Sequence, residues 1–274
     1  MNKYTWCAAL LGVSAAAHSS LNLGKVMALG DSITAGAGIG ITEGGYRGRL
    51  QSKLESQSIF TTDWVGSKGN GSITAWDDHH QGHSGWEVSH MLNGHPVQTG
   101  DGKISDWLSL HNPDTILFMG GGNDFQNVVM RDRANLKALL TSVGNEFEAF
   151  APNATVFWAG SIKNKWVVMD SYLTMLDEVV AEVVAEQRLL GRDFVYVDML
   201  TALDPNAGTF TNGDNSHPNN LGYEAIAERW STSLAAVPEP GSIILIGLGL
   251  GALCRRRKKG MVGDEGLEPP TSSV

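Results

Sequence analysis

Four short blocks carry side chains that can move an acyl group: Gly30-Asp31-Ser32-Ile33, Gly82-His83-Ser84-Gly85-Trp86, Gly121-Gly122-Asn123-Asp124 and Asp214-Asn215-Ser216-His217. A serine hydroxyl is a poor nucleophile until a base takes its proton. The base must in turn be held in one tautomer by an acid on its other ring nitrogen. Ser32 supplies the hydroxyl, His217 an imidazole, and Asp214 a carboxylate three residues earlier, close enough for one turn to bring acid and base together. The tetrahedral intermediate of such a reaction needs donors aimed at its oxyanion. The N–H of Ser32, a backbone N–H at Gly85 and the side-chain amide of Asn123 are the candidates. Taken singly, each residue has an ordinary structural reading: Ser32 and His217 as helix caps, Gly85 and Asn123 as turn residues. Their joint occurrence in chain order favours the chemical reading. Asp31 has no proton to handle in this scheme and is read as holding the turn.

These residues need elements that converge on one edge. Val26 to Gly30 is a short apolar run that stops at a glycine, and Asp114 to Met119 is apolar without interruption after its first residues, as in a strand covered on both faces. Asp63 to Ser67, Thr155 to Gly160 and Phe194 to Asp198 add three further strands. Helical spacing marks Tyr46 to Ser56, Lys103 to His111, about Arg131 to Ala151, Ser171 to Leu190, and Asn219 to Leu234, the last entered through Pro218. Strands and helices alternate without a linker, which predicts one α/β domain over 21–236. The expected architecture is a three-layer α/β/α sandwich with a five-stranded, mostly parallel, flavodoxin-like sheet. In such a sheet functional groups lie beyond the carboxyl ends of the strands, where all four blocks fall.

Composition narrows the partners. Residues 21 to 237 hold 14 Lys plus Arg against 25 Asp plus Glu, a surface that repels phosphate backbones and argues against nucleic-acid binding. Residues 1–20 have one early lysine, an apolar stretch and the run Ser14-Ala15-Ala16-Ala17, which reads as a secretory signal peptide; a ragged first core helix is the alternative. Both cysteines, Cys7 and Cys254, lie in the terminal segments, leaving the central domain without thiol or disulfide. Two side clusters allow other readings. Asp77, Asp78, His79, His80 and His83 have metal-ligand chemistry, but their spacing matches no metal motif and a polar substrate-facing loop explains them equally, so no metal is assigned. Trp76, Trp86 and Trp166 sit on loops near the expected mouth, where their faces could stack on sugar rings or simply pack.

With these blocks in place, the chain resembles the SGNH, or GDSL-type, hydrolases over roughly residues 25 to 234. The resemblance implies Ser32 as nucleophile, His217 as base oriented by Asp214, and Gly85 and Asn123 as oxyanion donors beside Ser32, with no cofactor. Gly45-Tyr46-Arg47, Asp63-Trp64-Val65-Gly66-Ser67, Gly82 to Trp86, and His217-Pro218-Asn219 with Gly222-Tyr223 are similar to the third carbohydrate esterase family, implying removal of acetyl groups from carbohydrate such as xylan. Gly122 departs from the threonine that relatives usually carry, which loosens the turn before Asn123. A lipid-type acyl esterase or thioesterase, and a non-catalytic surface carbohydrate-binding protein, are the competing readings. The loops around the centre read as polar with no long apolar flap, which ranks the lipid reading lower.

Residues 237–259, with Val237-Pro238-Glu239-Pro240-Gly241, an apolar run and Arg255-Arg256-Arg257-Lys258-Lys259, resemble a PEP-CTERM sorting signal. The resemblance implies an exosortase as partner, export to the cell surface, periplasm or exterior, and membrane contact only through the terminal segments. A simple tail anchor is the alternative, the apolar run being shorter than the ~20 residues a spanning helix needs. Residues 260–274 fit neither reading.

Overall fold

The computed structural model describes residues 21–38, 44–61, 63–69, 76–211 and 214–236. The leader expected at 1–20 and the segments 237–259 and 260–274 lie outside the described residues.

Apolar alternation along the strands decides the layers. In β1 (Lys25–Gly30), Met27 and Leu29 point to one face while Val26 and Ala28 point to the other. The same split divides Ile116 and Phe118 from Leu117 and Met119 in β4 (Thr115–Met119), and Val156 and Trp158 from Phe157 and Ala159 in β5 (Thr155–Ala159). Each face is then covered by helices whose apolar stripes match it. On one side lie α3 (Val88–Asn93), α4 (Ile104–His111), α5 (Arg133–Phe150) and α6 (Asp170–Leu189), which bury Met91, Trp107, Leu140, Phe147, Leu176 and Val183 against the sheet. On the other side, α2 (Tyr46–Ser56) and α7 (Asn220–Ala235) bury Tyr46, Leu50, Leu54, Tyr223, Ile226 and Trp230.

Every strand pairing is parallel, in the order β2-β1-β4-β5-β6, where β2 is Asp63–Trp64 and β6 is Phe194–Tyr196. The described sheet has six strands rather than the expected five. The extra one, β3 (Gln81–Gly82), lies within the stretch expected to be irregular and pairs with Leu29–Gly30 at the far end of β1. β2 pairs with Lys25–Val26 at the near end, so the two short strands share one edge of β1. The order reverses between β1 and β4, the switch point at which such sheets bind ligands.

Caps set the helix ends. Asp132 accepts from Ala134 N and Asn135 N at 3.0 Å to start α5, and Asn219 accepts from Leu221 N and Gly222 N to start α7. Pro218 therefore precedes the cap and bridges to Phe210 instead of opening the helix. At the sheet's amino edge a cleft of about 1070 Å3 is lined by Leu21, Gly24, Asp114, Thr155, Asp193 and Ala236, so both described ends of the chain lie at that pole.

Candidate active site

β1 ends at Gly30 because nothing larger fits: a Cβ there would lie 2.2 Å from Met119 O on the neighbouring strand. The chain turns at Asp31 and enters the one-turn helix α1 (Ser32–Ala35), with Asp31 Oδ1 accepting from Ile33 N at 2.9 Å. Asp31 thus holds the turn, as its place in the sequence suggests. Burial pushes its carboxyl up to about 6. Ser32, at the first helical position, keeps an N–H that a helix start leaves without an intrahelical acceptor. The turn is braced from α2 and α7: Arg47 Nε donates to Thr34 O at 3.0 Å, Tyr46 Oη lies 3.2 Å from Thr34 Oγ1, and Tyr223 Oη donates to Ala37 O at 2.6 Å. Arg47 is fully buried, which lowers its pKa to about 10.

The loop before α7 brings the acid and base to this serine. Asp214 Oδ1 accepts from Ser216 N at 2.8 Å and from His217 N at 3.0 Å, closing the turn. Its Oδ2 lies 2.6 Å from His217 Nδ1. Burial raises the Asp214 pKa, but the bonds from Ser216 N–H, the His217 ring and His217 N–H outweigh it and hold the carboxyl below the ordinary value. A carboxylate only accepts, so Nδ1 carries the ring proton and Nε2 is left as an acceptor. Nε2 stands 3.1 Å from Ser32 Oγ. The three side chains form one hydrogen-bonded line across 185 residues of sequence.

The expected oxyanion donors stand on two more strand ends. Asn123 follows β4, and its Nδ2 donates one proton to Trp86 O at 3.0 Å, leaving the second proton of the amide available. Asp124 Oδ2 accepts from Val88 N at 2.9 Å, so the β4 loop grips the segment carrying Gly85 at two points. Gly85 has φ +79°, a left-handed conformation that favours glycine, and a Cβ there would meet nothing within 4 Å. Its open side faces a cavity of about 740 Å3 that Ser32, Gly85, Asn123, Trp166 and His217 all line.

The structure corrects two expectations about this cavity. Trp86 is buried, packed on His83 with ring centres 4.3 Å apart and donating from Nε1 to Gln98 Oε1 at 2.7 Å, so it has no face to offer a ligand. The surroundings are also less polar than the loops suggested, since Phe125, Ile162, Val168 and Met169 share the wall with the polar groups. Trp76 is half-buried, lies against Gly44 and has the Arg47 guanidinium 5.4 Å from its ring, outside the cavity lining. Trp166 alone of the three reaches the mouth; it is 49% exposed and its Nε1 donates to Ser216 Oγ at 3.0 Å. Ser161 and Asn164, unremarked in the sequence, also line the cavity from the loop after β5. The rule that placed the other blocks at strand ends applies equally to that loop.

The acid and histidine cluster divides. Asp77, Asp78 and His79 have ligand atoms within 4.8 Å of one another, but Asp77 Oδ1 is paired with His79 Nδ1 at 2.7 Å and its Oδ2 accepts from Trp64 N. His80 Nδ1 accepts from Gly82 N, and burial lowers this ring to about 2. His83 is sandwiched between Trp86 and Trp107, and burial lowers it to about 4. Among the described residues no helix is long and apolar enough to cross a membrane.

Comparison with known proteins gives the family. Residues 28–225 match the GDSL-like lipase/acylhydrolase family, and residues 236–258 match the PEP-CTERM protein-sorting motif, which indicates export and surface sorting. A multidomain esterase of Ruminococcus flavefaciens is 27% identical over 230 residues, covering 75% of this chain and 28% of that protein. The chain thus spans little more than a quarter of the length of that relative. Among solved structures, a family 3 carbohydrate esterase of Clostridium thermocellum superposes with TM-score 0.61 at 26% identity, covering 77% of this chain and 94% of that one. A carbohydrate esterase family 3 structure from Talaromyces cellulolyticus gives 0.58 at 26% identity, covering 77% and 96%. With the family match spanning most of the chain, the chain belongs to the GDSL-like lipase/acylhydrolase family.

Proposed function

We propose that the protein is an exported serine esterase that removes acetyl or other short acyl groups from carbohydrate, with Ser32, His217 and Asp214 as its catalytic residues. The observation that carries the reading is the unbroken line from Ser32 Oγ through His217 to Asp214, at 3.1 Å and 2.6 Å. In the first half-reaction His217 Nε2 takes the Ser32 proton as Oγ attacks the ester carbonyl. The oxyanion is met by Ser32 N–H, Gly85 N–H and the free proton of the Asn123 amide. His217 then returns the proton to the leaving alcohol oxygen, the C–O bond breaks, and Ser32 is left acylated. Water repeats the sequence, with His217 taking its proton and later returning one to Ser32 Oγ as the carboxylic acid leaves. No step calls for a metal or organic cofactor. The likeness to carbohydrate esterases supports an acylated carbohydrate as substrate, and Trp166 offers an exposed aromatic face for a sugar ring. The sorting motif supports an exosortase as processing partner, with any membrane contact made through the terminal segments.

One observation favours a second reading, an esterase for longer acyl chains. The cavity, at about 740 Å3, is far larger than an acetyl group and is walled in part by Phe125, Ile162, Val168 and Met169. The purified protein should therefore be assayed for acetate release from acetylated xylan and for hydrolysis of 4-nitrophenyl acetate against the octanoate, in parent, Ser32→Ala and His217→Ala forms. We expect activity on the acetates that both substitutions remove. Undiminished activity of Ser32→Ala ends the mechanism, and a clear preference for octanoate moves the substrate to the second reading. A parent that binds xylan but hydrolyses no ester would instead be a carbohydrate-binding protein.

A further inference from the structure

Gly122 stands at φ −60°, ψ −39°, the right-handed helical region open to every residue, so the backbone does not call for glycine there. Space does. A Cβ at 122 would lie 2.8 Å from Ser161 Oγ and 3.5 Å from Ser161 Cβ, and Ser161 Oγ is the nearest atom it meets. The room a side chain at 122 would fill is held by the Ser161 hydroxyl. Ser161 follows β5 at the carboxyl edge of the sheet, is 9% exposed, and lines the cavity with Ser32, Asn123 and His217. Among the described residues its hydroxyl has no hydrogen-bond partner, although it can donate one bond and accept two. The oxygen is not one of the enclosed, unpaired polar atoms of the described residues, so it is open to the cavity, where a polar ligand that enters can bond it.

The loop that carries Ser161 has a definite course. It begins against Gly122, next to the proposed oxyanion donor Asn123, and reaches Trp166, whose Nε1 is bonded to Ser216 beside His217. Lys165 N also donates to Asn215 O at 2.9 Å, tying the loop to the acid and base turn. In the proposed mechanism the ester carbonyl points at the oxyanion donors and the leaving oxygen turns toward His217 Nε2. The alcohol portion of the substrate then lies along this loop. A polyol placed there presents its free hydroxyls to Ser161.

We infer that Ser161 is a specificity-determining residue, whose hydroxyl hydrogen-bonds a free hydroxyl on the alcohol portion of the substrate and so selects hydroxylated over plain alkyl esters. The inference rests on the esterase reading. Two acetates sharing one acyl group isolate it: glycerol monoacetate, which carries free hydroxyls beside the ester, and ethyl acetate, which carries none. Ser161→Ala should lower kcat/KM on glycerol monoacetate about 5- to 10-fold, the worth of one neutral hydrogen bond, and leave ethyl acetate within about twofold. An equal loss on both esters would mean that Ser161 only shapes the loop, and no loss on either would mean it makes no such bond; either overturns the inference.

A second pair of variants tests the geometry. Gly122→Ala, whose Cβ would lie 2.8 Å from Ser161 Oγ, should turn that hydroxyl aside and so lower kcat/KM on glycerol monoacetate while leaving ethyl acetate within about twofold. Gly122→Ala combined with Ser161→Ala should lose no more of the preference for glycerol monoacetate than Ser161→Ala alone, because both act on the same hydroxyl. A Gly122→Ala protein that behaves as the parent overturns the claim that Ser161 holds that space. Failure of the underlying reading looks different: a parent protein that hydrolyses neither these acetates nor 4-nitrophenyl acetate sinks both proposals together.

Discussion

Replacing Asp214 with asparagine tests the proposed centre at its narrowest point. Asp214 has two separable tasks, one per carboxylate oxygen. Oδ1 accepts from Ser216 N and His217 N and closes the turn, while Oδ2 faces His217 Nδ1 at 2.6 Å. Asparagine keeps an oxygen for the two backbone donors, which fixes its orientation. Its NH2 group then faces Nδ1, which must become the acceptor, and the ring proton moves to Nε2, 3.1 Å from Ser32 Oγ. Both atoms at that contact now carry a proton, so the base is lost although the structure is kept. The same swap in a serine protease triad lowers kcat about 10⁴-fold, and the geometry here demands a loss of that order, about 5.5 kcal/mol of barrier. The assay is steady-state hydrolysis of 4-nitrophenyl acetate, with thermal unfolding followed by circular dichroism. Asp214→Asn should be nearly inactive yet unfold close to the parent, whereas Asp214→Ala should lose comparable activity and also unfold earlier, because the turn donors lose their acceptor. An asparagine variant within about tenfold of the parent in kcat would refute the tautomer argument.

Two further substitutions read the surroundings of the centre. Asp124 is fully buried, and burial pushes its carboxyl up to about 7 from 3.8. The folded state therefore binds the proton more tightly than the unfolded chain, and this group withdraws stability as pH rises from about 4 toward 7. Asp124→Asn, which keeps an acceptor for Val88 N, should raise Tm relative to the parent at pH 8 and lose that advantage near pH 4; a difference independent of pH would refute it. Gly85→Ala meets no atom within 4 Å, so its cost is the left-handed backbone at φ +79° alone, about 1–2 kcal/mol. Its Tm should fall by a few degrees, and a Tm within roughly 1 °C of the parent would show that the strain is absent.

The parts of the fold that repeat locally were legible in the sequence. Tyr46, Leu50 and Leu54 mark α2 with the bounds observed, and the apolar run of β4 reads as a strand buried on both faces. β3 was not legible, because two residues pairing with Leu29–Gly30 some fifty positions away leave no periodic trace. The proposed catalytic residues could be picked out because each is of a reactive type beside an element boundary, Ser32 directly after β1 and Asp214 and His217 in the turn that leads into α7. Direction is what a sequence omits. Trp86 lies beside Gly85 in the chain, yet its ring turns inward because His83 and Trp107 offer it tilted ring contacts and Gln98 an acceptor there. The apolar part of the cavity was missed for a similar reason: Phe125, Val168 and Met169 come from two short turns far apart in the chain, Asn123–Gln126 and Val167–Met169, whose facing sides only the fold brings together. Gly122 was visible as a departure, but its cause, a hydroxyl thirty-nine residues downstream, exists only once β4 and β5 lie side by side.

The position of the chain ends bears on how an attached molecule would work. Leu21 and Ala236 share the cleft at the amino edge of the sheet, while Ser32 and His217 lie past the carboxyl edge. β1 alone, at about 3.3 Å per residue, separates these poles by about 20 Å. The matched sorting motif begins at residue 236. An attachment made through it holds the domain by its base, with the mouth turned to the opposite horizon. The end that leads into the sorting motif and the proposed centre thus stand at opposite ends of one short sheet.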